Sequence, residues 1–211
     1  MNIIFDLDGT LIDSRLRLYR LFQQLAPSSN LSFEQYWVLK RNKVSNETIL
    51  STKLGQNNEF IASFVSKWMQ LIESPSYLEM DGNLPGVLTN LAQLKNRASL
   101  HVCTARQLRQ PALNQLASLD LLPFFDQVLV TEQKNSKDTL IKAHIRDLSS
   151  CDWIVGDTGK DIEVGKSLNI KTCAVLSGFL NRDSLLTYLP DVILDTAADF
   201  NLSLHKIVQT T

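Results

Sequence analysis

Short apolar runs rich in β-branched residues recur at 2–6, 99–103, 127–131, 153–156, 171–175 and 192–194. Between most of them lie helix-length periodic segments at 86–96, 108–118, 137–147 and 161–169. Strand alternating with helix predicts a parallel sheet covered on both faces. Such a sheet places ligands at the carboxyl ends of its strands. One interval breaks the alternation: after the first strand, roughly 14–75 reads as helix only. Leu18, Leu21, Phe22 and Leu25 mark one amphipathic face there. Phe60, Ile61, Phe64, Val65, Trp68, Met69 and Ile72 mark a stronger one, and shorter helical pieces at 32–41 and 46–53 lie between. A helical block with its own apolar faces predicts a small second domain inserted after the first strand. Its hinges fall near Ser14 and across 75–85, where Pro75, Gly82, Pro85 and Gly86 cluster. The expected division is a core of 1–13 and 82–211 and an all-helical insert of 14–81.

The first strand ends in Asp6-Leu7-Asp8-Gly9-Thr10. Side chains two apart on a strand share a face, so both carboxylates are expected to converge above the sheet edge. Folding alone gains nothing from that repulsion, whereas phosphate chemistry can use it. One carboxylate can attack phosphorus, and the other can protonate the leaving oxygen and later deprotonate water. The second role requires a pKa raised above the ordinary ~3.9 by its neighbours. Asp157, in Gly156-Asp157-Thr158-Gly159, brings a third acid to another strand end. Carboxylates gathered in this way require a cation, and hard oxygen ligands select magnesium over zinc. Asp161 is expected to cap the following helix or sit behind the metal. Thr104 ends a strand before Ala105-Arg106, where its hydroxyl and the next amides can donate to phosphate. Lys137 opens a helix, a position unfavourable to the helix dipole, which points to neutralising the nucleophile and the phosphate. Lys134 in the same loop is its competitor.

Other chemistries are poorly supported. Gly159 and Gly165-Lys166-Ser167 imitate a nucleotide-binding loop, but the glycines are one residue too far apart and Asp161 and Glu163 would repel phosphates. His101, His144 and His205 show neither metal spacing nor a partnered nucleophile, and read as packing or surface residues. Hydrophobic residues at 44% and charged residues at 20% describe an ordinary globular chain. A formal net charge of −1 gives no electrostatic reason to expect nucleic acid or an anionic membrane as partner. No apolar stretch approaches the ~20 residues that span a bilayer, and no secretory leader is visible. Cys103, Cys151 and Cys173 suit the reduced thiols of a cytoplasmic protein.

The set Asp6-Leu7-Asp8-Gly9-Thr10, Thr104, Lys137 and Gly156-Asp157 with Asp161, in this order on successive strand ends, resembles the haloacid dehalogenase-like hydrolase superfamily. Within it, the phosphatase branch with a helical (C1-type) cap, similar to phosphoglycolate phosphatases, fits best. The resemblance implies an α/β fold, a Rossmann-like parallel core with an inserted all-helical cap, and a Mg2+-dependent aspartyl-phosphate mechanism. Asp6 would be nucleophile and metal ligand. Asp8 would be general acid/base, with its backbone carbonyl on the metal, and Asp157 would complete the metal site. Thr104, the amide of Ala105 and Lys137 would hold the phosphoryl group. The expected substrate is a small phosphorylated metabolite. A phosphomutase or phosphotransferase using the same acids, and a non-catalytic binding or regulatory protein of this fold, are the alternatives. Within the insert, the basic junction Lys40-Arg41-Asn42-Lys43 suggests a specificity loop, with Arg41 pairing with the substrate's phosphate or carboxylate. Arg15 and Arg17 are weaker candidates.

Overall fold

A computed structural model describes residues 1–203; His205 and the rest of the expected core segment to 211 lie outside them. The chain runs β1 (Asn2–Phe5), β2 (Ile12–Asp13), α1 (Arg15–Leu25), α2 (Phe33–Arg41), α3 (Asn46–Leu54), α4 (Asn58–Leu71), α5 (Pro75–Leu78) and β3 (Gly82–Asn83). It continues through α6 (Val87–Lys95), β4 (Ser99–Thr104), α7 (Arg109–Ser118), β5 (Gln127–Val130), α8 (Lys137–His144) and β6 (Trp153–Gly156). α9 (Gly159–Ser167), β7 (Lys171–Val175), α10 (Arg182–Leu186) and β8 (Val192–Leu194) complete it.

Six strands form one sheet in the order β5-β4-β1-β6-β7-β8, all pairings parallel. The near-continuous apolar strands follow from burial on both faces. Alternation along β1 sends Ile3 and Phe5 into one layer, with Leu91 of α6 and Leu116 of α7. Ile4 goes into the opposite layer, with Ile141 of α8 and Val164 of α9. Gly165 lies in α9 because a Cβ there would fall 2.4 Å from Thr172 Cγ2. The imitation of a nucleotide-binding loop is therefore a packing glycine.

The helices α1 to α4 close on a cluster of their own, containing Tyr19, Phe22, Tyr36, Trp37, Ile49, Leu50 and Phe64. Their starts are fixed locally. Ser32 and Gln35 form a capping box on α2, and Ser45 and Asn57 cap α3 and α4. The short antiparallel ribbon of β2 and β3 pairs Ile12 with Asn83 and Asp13 with Gly82. It was not foreseen from the sequence, since two-residue strands carry no periodicity. It brings the two ends of the helical segment side by side. Among the described residues, no helix is long and apolar enough to cross a membrane.

Phe22 is fully buried, its ring 4.8 Å from that of Tyr36 and 5.8 Å from that of Phe64. Phe22→Ala is expected to cost about 3–5 kcal/mol of stability in urea unfolding. A loss below about 1 kcal/mol would mean that the helical cluster does not close on this ring.

Candidate active site

A parallel sheet collects its strand ends at one edge, and here that edge is acidic. Asp6 directly follows β1, Thr104 ends the neighbouring β4, and Asp157 follows β6 on the other side. Lys137 opens α8, after β5. Asp6, Asp8, Thr104, Ala105, Lys137 and Asp157 all line one cavity of about 280 Å3.

Lys137 Nζ donates to Asp6 Oδ1 and to Asp161 Oδ1, both at 2.6 Å. Lys137 is thus the lysine that reaches the acids, while Lys134 is not among the residues lining the cavity. Asp161 Oδ2 accepts the amide of Thr158 at 3.2 Å and its hydroxyl at 2.7 Å, capping α9 as expected. Asp157 Oδ2 accepts the Phe179 amide at 2.6 Å. Its Oδ1 is buried and has no partner among the described residues. This carboxylate lies in a slot that only glycines permit. A Cβ would fall 2.6 Å from Asp157 Oδ2 at Gly9, whose φ is +79°, and 2.0 Å from it at Gly178.

Carboxylate oxygens of Asp6, Asp157 and Asp161 approach within 4.8 Å of one another, with one ammonium bridging Asp6 and Asp161. Burial pushes Asp6 up to about 7; Lys137 opposes this and Asp161 adds to it. Burial, then the charges of Asp6 and Asp161, push Asp157 up as well. Lys137 is held above the usual lysine range. Burial works against its charge, but Asp161 and Asp6 outweigh it. The cluster is short of positive charge, its donors are hard oxygens, and one oxygen of Asp157 is unpartnered. These residues fit a hard divalent cation, with Asp6 and Asp157 available to it and both oxygens of Asp161 engaged elsewhere.

Two expectations need correction. Asp8 was expected to have a raised pKa, and the reverse holds. Burial favours its neutral form, but Arg106 and Arg17 together outweigh burial and hold the carboxyl well below its usual range. Arg106 grips it with Nε to Oδ2 at 2.7 Å and Nη2 to Oδ1 at 2.8 Å, and Arg17 Nη2 donates to Oδ1 as well. Arg41, in turn, is not among the residues lining the cavity. The end of α2 packs on the loop after β7, so Arg41 Nη2 reaches Leu176 O at 3.4 Å and Arg41 O accepts the Asn181 amide at 3.2 Å. Arg17 lines the cavity in its stead, while Arg15 is drawn to Asp13, Nε to Oδ1 at 2.8 Å.

Sequence reasoning missed the support behind the arginines. Asp81 Oδ1 accepts Arg17 Nε at 3.0 Å, and Asp81 Oδ2 lies 3.5 Å from Arg106 Nη2. Gln115 donates to Asp81 Oδ2 and accepts from Arg106, both at 2.8 Å. No local spacing announces these contacts; the only available signal was an arginine directly after Thr104-Ala105.

The family model described as Haloacid dehalogenase-like hydrolase matches residues 3–175. The chain is 26% identical to a phosphoglycolate phosphatase of Aquifex aeolicus (strain VF5), over 93% of each chain. It is 25% identical to pyrophosphatase PpaX of Oceanobacillus iheyensis, over 94% of each. Among solved structures, a haloacid dehalogenase-like family hydrolase from Streptococcus pneumoniae superposes with a TM-score of 0.76 at 20% identity, covering 100% of this chain and 98% of that one. At that identity the likeness speaks for the fold.

Removing Lys137 leaves two buried carboxylates without their shared cation. Lys137→Met is expected to lose about 3–5 kcal/mol in urea unfolding at pH 7.5 in metal-free buffer. Asp6 already has a folded pKa of about 7, above its ordinary 3.8, and losing Lys137 raises it further. The folded variant therefore holds a proton that the unfolded chain releases, and the deficit against the parent shrinks as pH falls from 7.5 to 5. A deficit independent of pH would show that Lys137 does not neutralise these acids.

Proposed function

The chain belongs to the haloacid dehalogenase-like hydrolase family, and on that premise we propose that it is a Mg2+-dependent phosphatase of a small phosphorylated metabolite. The observation that carries this reading is the convergence of Asp6 and Asp157 on one point, with an unpartnered Asp157 oxygen, in the cavity that Asp8, Thr104 and Lys137 also line. The phosphatase names of the relatives support the reaction class. The segment 14–81 is read as a cap over a core of 1–13 and 82–211.

Lys137 holds Oδ1 of Asp6 and leaves the other oxygen to attack phosphorus. The bond from phosphorus to the ester oxygen breaks, Asp8 gives that oxygen its proton, and the phosphoryl group stays on Asp6. Asp8, now a carboxylate, takes a proton from water. The resulting nucleophile attacks phosphorus and releases Asp6 and orthophosphate. Thr104, the amide of Ala105 and Lys137 orient the phosphoryl oxygens. A bound Mg2+, held by Asp6, Asp157 and the backbone carbonyl of Asp8, would supply charge neutralisation at those oxygens. The pairing of Asp8 with Arg17 and Arg106 suits the base step; the acid step requires that grip to loosen.

Hydrolysis of p-nitrophenyl phosphate is expected with Mg2+ and to vanish with a chelator. Asp6→Asn abolishes it, and Asp8→Asn lowers kcat by about 10²–10⁴-fold. Orthophosphate release without an added acceptor separates a phosphatase from a phosphotransferase. An active Asp6→Asn enzyme would remove the covalent mechanism.

A further inference from the structure

The turn that leads from β4 into α7 carries two groups the proposed reaction uses, the amide of Ala105 and the guanidinium of Arg106. The sheet side holds this turn through its carbonyls. Thr104 O and Arg106 O accept the amides of Thr131 and Glu132, both at 3.0 Å, from the loop after β5. On the α7 side the turn is met from the inserted segment instead. Glu73, 34 residues before Gln107, accepts the Gln107 amide on Oε1 at 2.8 Å and the Leu108 amide on Oε2 at 3.2 Å. Both oxygens of one carboxylate are thus engaged by two successive amides. A helix start has amides to satisfy and favours negative charge, and Leu108, at the entry to α7, offers no capping side chain. A Ser or Asp at that position would have capped α7 locally. The chain draws the anion from a distant segment.

Glu73 is buried and lines the same cavity as Asp6 and Thr104. Burying a carboxylate is unfavourable unless its oxygens are hydrogen-bonded, and a cap at the surface would serve α7 without that burial. Gln107 Nε2 in turn donates to Met69 O at 3.0 Å, so the turn and the inserted segment hold each other at two points. Ile72 O accepts Arg17 Nη1 at 2.9 Å, which fixes the backbone that carries Glu73. We infer that Glu73 is a positioning residue of the phosphate site. From the inserted segment it fixes the turn after β4, and through that turn it places the Ala105 amide against the phosphoryl group and Arg106 against Asp8. This rests on the phosphatase reading and adds to it: the phosphate site is complete only with the inserted segment seated on the sheet.

The test compares Glu73→Gln, which keeps one acceptor, with Glu73→Met, which keeps none. Ser45→Ala, which removes the cap of α3 outside the residues lining the cavity, controls for lost stability alone. With p-nitrophenyl phosphate and Mg2+, Glu73→Gln is expected to lower kcat/KM about 10-fold and Glu73→Met about 100-fold. Orthophosphate binding, followed by calorimetric titration in the same buffer, weakens in the same order, by about 10-fold in Kd for Glu73→Met. Ser45→Ala matches the parent in both measurements. Glu73→Gln carries the same comparison if Glu73→Met fails to fold. Orthophosphate affinity equal to the parent's in the Glu73 variants overturns the inference whatever their activity, and so does a loss that Ser45→Ala shares. A parent that binds orthophosphate and hydrolyses no phosphomonoester, with that binding weakened in the Glu73 variants, supports the positioning role and sinks the phosphatase reading. A parent that neither binds nor hydrolyses overturns both.

Discussion

Repulsion between carboxylates at one sheet edge is the constraint around which the local structure is built. Carboxylate oxygens of Asp6, Asp157 and Asp161 lie within 4.8 Å of one another. Two like charges about 4 Å apart repel by on the order of 4 kcal/mol at an effective dielectric near 20. The chain opposes this with specific partners. Lys137 bridges Asp6 and Asp161, Thr158 takes the other oxygen of Asp161, and the Phe179 amide takes one oxygen of Asp157. The glycines at 9 and 178 belong to the same arrangement, since a side chain at either would push the Asp157 carboxylate out of place.

What was legible in the sequence follows from this physics. The strand ends were readable because a parallel strand buried on both faces is a continuous apolar run, and the residue after it stands at the edge. Asp6, Thr104 and Asp157 were found in that way, and the periodic faces around Phe22 and Phe64 located the helical segment. Lys137 was favoured over Lys134 because a lysine at a helix start contradicts the helix dipole. The arginines were not legible as a pair. Arg17 and Arg106 come from distant parts of the chain and meet only because α1 and the turn after β4 face the same cavity. The direction of the Asp8 pKa depends on that meeting, so it could not be read in advance. Arg41 stood out by local charge alone, and local charge does not say which way a helix end faces.

Two seams join the helical segment to the sheet, and each ends on a different carboxylate of the cavity. At one, the Phe179 ring lies 5.3 Å from that of Trp37 in α2, while the Phe179 amide holds Asp157. The Asn181 backbone amide donates a hydrogen bond to Arg41 O and its side chain donates one to Asn42 Oδ1 at 2.9 Å, and Lys43 stands over the Tyr188 ring. At the other seam, Arg17 of α1 and Arg106 of the sheet side share Asp81 and Asp8. Glu73, after α4, accepts the amides of Gln107 and Leu108. The first seam is largely aromatic and amide, and the second is ionic. The ion pairs of the second are buried, so salt screens them little.

The ionic seam also bears on how Asp8 would serve the two opposed tasks proposed for it. Donating a proton to a leaving oxygen requires a neighbourhood that favours the neutral acid, and accepting one from water requires a neighbourhood that favours the carboxylate. A fixed environment serves only one of these. The grip on Asp8 is composite: Arg106 belongs to the turn after β4, and Arg17 belongs to the helical segment. A shift of that segment relative to the sheet would withdraw one guanidinium and leave the other, changing the field on Asp8 without unmaking the site. The two-residue ribbon of β2 and β3 is the only strand pairing at this crossing among the described residues. Arg17 reaches Asp8 from α1, so the charge beside Asp8 depends on where that helix sits.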